Sequence, residues 1–300
     1  MKYILVIAVF CAILSGCNHS AVPSSTPVTN AQIQNANGTT ILEGHCSLSI
    51  TQTTPYKDWF DKSYNNYTVD TNTVSLIRPK LAGKTIEVFL GSWCGDSKRE
   101  VPRLVKILQS AQFDTANLRL IFVNNALSAY KQSPQHEEAG KTIHRVPTII
   151  VYNHDDEIGR IVESPHVSLE KDLLAIVLNK PYNPNYYDVM WWVKNVGDRT
   201  NALSNRRLTN IAADVKPICP NMYHFNTYGY VLLAQKNYVE AINVLTLNTI
   251  LFPGMPSTYD SLGEAYMQAG NNNKAKENYS KVLAMKPGDE NATKMLAQLK

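Results

Sequence analysis

The chain has 300 residues, 44% of them hydrophobic, and a formal net charge of +4. This is the composition of a globular protein, and the length is enough for two modest domains. The Lys and Arg residues are spread along the chain without a basic block, so the charge pattern indicates no nucleic-acid partner.

The N-terminus has the pattern of a secretion signal. Lys2 precedes an apolar run from Tyr3 to Leu14, which is too short to cross a bilayer as a stable helix. No later part of the sequence is long and apolar enough to cross a membrane either. We therefore predict a signal peptide at residues 1–16.

The signal ends in Leu14-Ser15-Gly16-Cys17, a small-residue cleavage site followed by cysteine. This motif resembles the lipobox of bacterial lipoproteins. The resemblance implies that Cys17 is lipidated and anchors the mature protein in a membrane of the bacterial cell envelope. Asn18, without an acidic run after it, is similar to outer-membrane sorting signals and favours an outer-membrane position facing the periplasm. The alternative is an uncleaved chain in which Cys17 is buried.

The segment after Cys17 is polar. Residues 18–40 are rich in Ser, Thr, Pro, Asn and Gln and poor in large apolar side chains. Such a segment buries too little surface to offset the chain entropy lost on folding. We expect a flexible tether over residues 17–45.

The middle of the chain alternates between strand and helix patterns. In chain order these predict a strand at Thr85–Leu90, an amphipathic helix at Ser97–Ala111, strands at Leu118–Val123 and Pro147–Tyr152, a hairpin strand at Glu157–Val162 and a helix capped by Ser168. Strand, helix, strand, hairpin and helix is the element order of the thioredoxin fold. We therefore predict an α/β thioredoxin-like fold, a central mixed sheet flanked by helices, over residues 46–182.

Three short motifs lie at matching places in this order. They are Trp93-Cys94-Gly95-Asp96-Ser97 between the first strand and its helix, Pro102 inside that helix, and Arg145-Val146-Pro147-Thr148 before a later strand. Together they resemble the thioredoxin family, and more closely its secreted bacterial members that carry Trp-Cys-Gly-Asp-Ser instead of two cysteines. The resemblance implies that Pro147 is a cis-proline facing a reactive Cys94. It also implies supporting roles for Trp93, Gly95, Asp96, Lys98, Arg145, Val146 and Thr148.

Cys94 is the candidate reactive group. A cysteine at a helix N-terminus meets unpaired backbone N–H groups and the positive end of the helix dipole, which favour the nucleophilic thiolate. Lys98 and Arg99 would add positive charge in the same turn, whereas Asp96 would oppose it. Arg145 either faces the Cys94 pocket or is a solvated charge. The alternative is that Cys94 is unreactive and that the domain keeps the thioredoxin-like fold without its chemistry.

Two family features are missing. The second cysteine of the thioredoxin motif is Ser97, and the buried acid six residues before the nucleophile is Val88. A dithiol resolves its mixed disulfide by internal attack, which a serine hydroxyl cannot do. Ser97 could still hydrogen-bond the Cys94 thiolate. The two losses predict that the domain is not a general disulfide reductase and leave monothiol exchange, isomerisation or client trapping.

Two other thiols remain outside the signal and the lipobox, at Cys46 and Cys219. They could form a structural disulfide, stay as buried thiols, or resolve Cys94. The histidines show no metal-ligand spacing, and we read them as surface or loop residues. We expect neither a metal nor a cofactor.

The C-terminal third repeats itself at a spacing of 34 residues. The recurring positions are Gly229 and Gly263, Ala241 and Ala275, Leu245 and Tyr279, and Pro253 and Pro287. The period resembles that of tetratricopeptide repeats, in which small residues let two antiparallel helices approach.

We predict helix pairs at 226–252 and 257–285 and a capping helix at Asn291–Leu299. The repeat domain then covers residues 222–300. Residues 183–221 are predicted as a helical connector or a degenerate first repeat.

Two functions from different classes fit these patterns. The first is monothiol thiol–disulfide exchange or client trapping through Cys94, with envelope proteins or peptides as partners. The second is a non-catalytic scaffold that binds peptides or proteins through the thioredoxin groove and the repeats. Whether the chain is an enzyme depends on the reactivity of Cys94. Both interpretations place it at a membrane through Cys17.

Overall fold

A computed structural model describes residues 27–35, 37–197 and 199–299 of the chain. The predicted signal peptide, the lipobox and Cys17 lie outside these residues. Within the described part, no helix is long and apolar enough to cross a bilayer.

The N-terminal half is built on a mixed sheet. Its strands are β1 (Ala31–Gln34), β2 (Thr40–Cys46), β3 (Lys84–Leu90), β4 (Leu118–Phe122), β5 (Thr148–Asn153) and β6 (Asp156–Val162). The spatial order is β1-β2-β4-β3-β5-β6. Strands β3 and β4 are parallel, a pairing that requires a crossover such as the helical connection between them, and the other neighbouring strands are antiparallel.

Strands β3 and β4 are buried on both faces, and successive side chains alternate between two cores. Val88 and Leu90 lie in the core on the face covered by four helices. These helices are α1 (Lys57–Asn65), α2 (Thr71–Ile77), α3 (Gly95–Ser110) and α4 (Leu169–Val177). Phe89 and Ile121 point to the other face, where they pack with Ile143 and Val146. This second face is covered by residues 123–147, here called the covering segment, which contains a short 3₁₀ turn at Leu127–Ala129.

The structure corrects the predicted tether. Residues 31–34 and 40–46 are not a flexible linker but the hairpin β1–β2, which extends the sheet at its edge. Ile41 and Leu42 are almost fully buried, and β2 pairs with β4 through Gly44–Cys46. Strand β1 is polar and is ordered by backbone hydrogen bonds to β2. The tether was predicted from amino-acid composition, which does not take backbone hydrogen bonds into account.

The C-terminal part, residues 187–298, is here called the helical region. Among its described residues, helices are the only regular secondary structure. They are α5 (Tyr187–Asn195), α6 (Asn205–Val215), α7 (Tyr223–Ala234), α8 (Tyr238–Leu251), α9 (Pro256–Gln268), α10 (Asn272–Met285) and α11 (Glu290–Gln298). The predicted connector supplies α5 and α6. Both share one hydrophobic cluster with α7 and α8, including Trp192, Leu208 and Leu245, so the connector is part of the same core.

The helix pairs α7–α8 and α9–α10 lie where the 34-residue spacing predicts them. A Cβ atom on Gly229 would lie 2.6 Å from the Leu245 side chain, and one on Gly263 would lie 3.1 Å from Tyr279. Ala241 and Ala275 are fully buried. The small residues therefore allow the close approach of paired helices, and each repeated glycine meets its repeated large partner.

Candidate functional site

The candidate site forms where the end of β3 meets the start of α3. Cys94 has extended backbone angles and is the N-cap residue, so the helix begins at Gly95. Its side chain is half-buried, and Sγ donates a hydrogen bond to the Val146 carbonyl oxygen at 3.2 Å. The Val146–Pro147 peptide bond is cis. Two motifs more than fifty residues apart are thus in direct contact.

The Trp93 indole is held beside Cys94. Its Nε1 donates to the Val123 carbonyl oxygen at 2.9 Å, at the end of β4. The ring lies so close to Gly91 that a Cβ atom there would be 2.5 Å from it. Gly91 therefore leaves space for Trp93, and any larger residue at this position would displace the indole.

Ser97 lies below the surface of the site and is only 1% exposed. Its Oγ accepts a hydrogen bond from the Gly91 N–H at 3.1 Å. Among the described residues, Ser97 does not form the hydrogen bond to the Cys94 sulfur that the sequence left possible. The reason is geometric, because the serine hydroxyl is directed towards the turn that precedes Cys94.

The charges in the first turn of α3 largely offset one another. Arg99 pairs with Asp96 at 2.7 Å and with Glu100 at 2.6 Å. Asp96 also lies in the first helical turn, where a carboxylate interacts favourably with the helix dipole. The positive charge that we expected Arg99 to supply to Cys94 is therefore committed to carboxylates.

In the described part of the chain, Cys94 forms no hydrogen bond with a carboxylate that could replace the acid missing at Val88. The carboxylate in β3 belongs to Glu87, whose side chain points to the opposite face of the sheet. There it pairs with Arg119 at 3.2 Å and with Lys141, and it accepts a hydrogen bond from Tyr152 at 3.3 Å. Glu87 is thus engaged in a buried ion-pair network rather than available to Cys94.

The loop before Pro147 is closed by local hydrogen bonds. Thr148 Oγ1 donates to the Arg145 carbonyl oxygen at 2.7 Å, and the Glu163 N–H donates to the Pro147 carbonyl oxygen at 2.7 Å. These bonds hold the Val146 carbonyl towards Cys94. Thr148 therefore fixes the backbone of this loop, and Val146 contacts Cys94 through its backbone carbonyl.

Arg145 is not a solvated charge. Its side chain is 19% exposed and pairs with Glu163 at 3.2 Å. Nη2 donates to the Tyr223 carbonyl oxygen at 3.1 Å and to Thr227 Oγ1 at 3.0 Å, both in α7. The guanidinium also lies 4.5 Å from the centre of the Tyr186 ring. Arg145 therefore joins the loop of the site to the helical region.

Two residues whose charges interact with that of Cys94 carry no sequence signal. Tyr130 and Lys131 follow the 3₁₀ turn of the covering segment, outside any periodic pattern or motif. Lys131 is 3% exposed, and its Nζ lies 3.7 Å from the centre of the Tyr130 ring. Burial, aided by the nearby Arg145 charge, lowers the pKa of Lys131 to about 7, and the Cys94 and Glu163 charges act in the opposite direction.

The remaining thiols do not join the site. Cys46 and Cys219 are buried and free, and they lie in separate hydrophobic clusters. Burial raises the pKa of Cys46 to about 12 and also raises the pKa of Cys219. The structure therefore supports the buried-thiol interpretation and gives neither a structural disulfide nor a resolving contact with Cys94.

Comparison with known proteins does not assign the site. A scan against protein-family models finds no match to this chain, and a search of the curated proteins finds none either. In the described part of the chain, no group of three or more His, Cys, Asp or Glu side chains is arranged to hold a metal ion. The chemistry of the site is therefore inferred from its own geometry.

Proposed function

We propose that this chain is an envelope-anchored thioredoxin-like protein that carries out monothiol thiol–disulfide exchange through Cys94. The observation that carries the proposal is the contact between Cys94 Sγ, at the start of α3, and the carbonyl of Val146, which precedes cis-Pro147. The half-buried sulfur is reachable at a helix N-terminus, where a thiolate is stabilised.

The proposed reaction has two steps, and the second step uses a thiol from another molecule or from the client. The Cys94 thiolate attacks a disulfide of the client, forms a mixed disulfide and releases one client thiolate. A second thiol, from another client cysteine or a small-molecule thiol, then attacks the mixed disulfide and regenerates the Cys94 thiolate. Ser97 is buried and hydrogen-bonded to Gly91, so it takes no part in this resolution.

The architecture supports the family resemblance on which the proposal draws. The helix α3 follows the central strand β3, the hairpin β5–β6 flanks that strand, and α4 packs on the same face as α3. We further propose that the paired helices of the helical region are tetratricopeptide repeats. Their contact with Arg145 would place bound envelope proteins or peptides beside Cys94.

A binding scaffold is the second candidate, and one observation favours it. The Cys94 sulfur donates its hydrogen bond to the Val146 carbonyl, and a bond of this kind stabilises the protonated thiol rather than the thiolate. In a scaffold the same pocket would bind peptides without covalent chemistry. The two candidates differ in a measurable property, the rate at which Cys94 reacts with disulfides.

The test compares native protein, Cys94→Ser and Ser97→Cys after incubation with 4,4′-dithiodipyridine and then with a disulfide-linked peptide. Native protein should form a stable mixed disulfide, seen by intact-mass spectrometry. Ser97→Cys should shorten the lifetime of the adduct and gain insulin-reductase activity, because it supplies a resolving thiol. Cys94→Ser should form no adduct.

The matched control is Cys219→Ser, which removes a buried thiol in the other core and should behave as the native protein does. If native Cys94 reacts no faster than an unstructured cysteine peptide and Ser97→Cys gains no activity, the exchange proposal fails. The scaffold function then becomes the better account.

A further inference from the structure

The Arg145 side chain connects the helical region to the backbone that faces Cys94. Its Nη2 donates to the Tyr223 carbonyl oxygen at 3.1 Å and to Thr227 Oγ1 at 3.0 Å, both in the first half of α7. Arg145 directly precedes Val146, whose carbonyl oxygen accepts the hydrogen bond from Cys94 Sγ at 3.2 Å. Because a planar peptide unit joins Arg145 to Val146, a shift of the arginine also moves the Val146 backbone.

Two further residues fix the direction of the Arg145 side chain. Glu163 pairs with its Nη1 at 3.2 Å, and the centre of the Tyr186 ring lies 4.5 Å from the guanidinium carbon. Tyr186 also donates a hydrogen bond to the Glu163 carboxylate. Both residues have a left-handed backbone, with φ of 64° at Glu163 and 62° at Tyr186, which is unfavourable for residues other than glycine. Such conformations persist only where surrounding contacts impose them, and they are common at functional sites.

The hydrogen bond between Cys94 and Val146 exists in only one state of the proposed reaction. The Cys94 thiol has a hydrogen to donate, and the Val146 carbonyl oxygen accepts it. In the mixed disulfide the sulfur is bonded to a client sulfur in place of hydrogen, so this hydrogen bond is lost. A carbonyl that is fixed in line with the thiol stabilises the resting state more than a mobile one, because hydrogen bonds weaken steeply when their geometry is poor.

We propose that the helical region keeps Cys94 in a resting state through Arg145, and that breaking the contact with α7 makes the sulfur more reactive. This inference rests on the proposed exchange function and names its regulation. Arg145 is a positioning residue, since it acts through the Val146 carbonyl. Tyr223 is 59% exposed and open to a partner. A client peptide that binds there and displaces Arg145 from α7 would release Cys94, so that exchange begins where a client is already bound.

The first test measures the rate at which Cys94 reacts with iodoacetamide and with 4,4′-dithiodipyridine at neutral pH, by intact-mass spectrometry and peptide mapping. Arg145→Met removes both contacts with α7. Its rate with either reagent should rise by about 5-fold, which corresponds to the loss of one hydrogen bond of average strength. Thr227→Val removes one of the two contacts and should raise the rate by less. An unchanged or lower rate in Arg145→Met would overturn the proposal.

Two variants are the controls for this rate. Thr227→Ser keeps the hydroxyl that accepts from Arg145 and should react at the native rate. Tyr67→Phe removes another hydrogen bond to a charged group, from the Tyr67 hydroxyl to the Glu170 carboxylate at 2.8 Å, and should also leave the rate unchanged. If Tyr67→Phe reacts as fast as Arg145→Met, the reactivity reports general loosening of the fold and the proposal is wrong. Equal rates in Thr227→Ser and Thr227→Val would contradict it as well.

A double-mutant cycle detects the connection without any reaction of the sulfur. Among the described residues, Cys94 and Thr227 have no hydrogen-bond partner in common, so independent substitutions there should have additive effects on the free energy of unfolding. If Arg145 transmits the contact, Thr227→Val should destabilise Cys94→Ala less than it destabilises native protein, because the bond to Val146 is already absent. Urea unfolding of native protein, the two single variants and the double variant measures this difference. Additive effects would refute the proposed connection.

The outcomes separate this regulation from the function on which it rests. If native Cys94 forms no mixed disulfide with 4,4′-dithiodipyridine, the exchange function itself fails, whatever the double-mutant cycle shows. If native Cys94 forms the mixed disulfide while Arg145→Met keeps the native rate, the regulation fails and exchange stands.

Discussion

The Nη2 atom of Arg145 lies 3.0 Å from Oγ1 of Thr227, which connects the loop before cis-Pro147 to the first half of α7. The same nitrogen also donates to the Tyr223 carbonyl oxygen at 3.1 Å. On the other side Tyr186 donates to Glu163, the ion-pair partner of Arg145. The sheet and the helical region are therefore joined by a polar contact at the edge of the candidate site.

Removing the contact between Arg145 and Thr227 should destabilise the packing of the sheet against the helical region. Thr227→Val removes one hydrogen bond to a charged donor, and we expect the free energy of unfolding to fall by about 1–2 kcal/mol. Arg145→Met should have a larger effect because it also removes the ion-pair partner of the partly buried Glu163 carboxylate. The measurement is urea unfolding followed by circular dichroism.

The control for this pair is Thr209→Val, at an exposed position of α6, which should stay within about 0.5 kcal/mol of the native value. Equal effects of Thr227→Val and Thr209→Val would show that the Arg145 bond to α7 contributes nothing to stability.

The two repeated glycines should respond differently to the same substitution. Gly229→Ala places a Cβ atom 2.6 Å from the Leu245 side chain, so that side chain or the helix backbone must shift. Gly263→Ala places the Cβ atom 3.1 Å from Tyr279. Overpacking costs about 1–3 kcal/mol, and Ala gains about 1 kcal/mol over Gly inside a helix. We expect Gly229→Ala to lower the melting temperature clearly and Gly263→Ala to change it little. A larger loss at Gly263 would contradict the observed packing.

His144 should make stability fall on acidification. His144 lies in a loop, as the prediction of a surface or loop histidine allows, but it is not on the surface. Its ring is fully buried between Tyr186 and Tyr228, with ring centres 5.9 and 6.0 Å away. Nδ1 lies 2.9 Å from the Thr142 carbonyl oxygen, and Nε2 has no partner among the described residues. Burial lowers the pKa of His144 to about 3.

Because the folded pKa lies below the unfolded value of about 6.5, the unfolded chain binds a proton between these pH values that the folded chain does not. The free energy of unfolding should therefore fall as the pH drops below about 6.5. Between pH 7 and 5 this contribution is about 2 kcal/mol, and it should disappear in His144→Phe. Urea titrations at both pH values check this, with the exposed His154→Gln as control. Equal pH dependence in native protein and His144→Phe would contradict the assignment.

The lipobox-like motif at residues 14–17 leads to a separate prediction about membrane anchoring, in a segment outside the described residues. Native protein expressed with its signal should partition into the detergent phase of Triton X-114, because acylation adds about 0.8 kcal/mol of membrane affinity for each buried methylene. Cys17→Ala should move it to the aqueous phase or block its processing. Cys11→Ala, inside the signal, should partition as native protein does. Detergent partitioning that survives Cys17→Ala would remove the anchor proposal.

Local sequence patterns were sufficient to predict those helices and strands whose formation depends on residues close in sequence. The strand at 84–90 and the helix at 95–110 lie within two residues of their predicted bounds, and Ser168 caps α4 by accepting a hydrogen bond from the Lys171 N–H. The helix pairs follow the 34-residue spacing because each glycine and its large partner lie only sixteen residues apart within one hairpin of helices.

Tertiary structure alone decided several contacts around the candidate site. Lys131 is buried in a loop closed through Asn124, and Arg145 meets Thr227 from a different region of the chain. The polar strand β1 is likewise ordered by its partner β2 rather than by its own composition. Such contacts join residues that are far apart in sequence or that follow no periodic pattern. The burial of these residues and the interactions between their charges arise only when the chain folds.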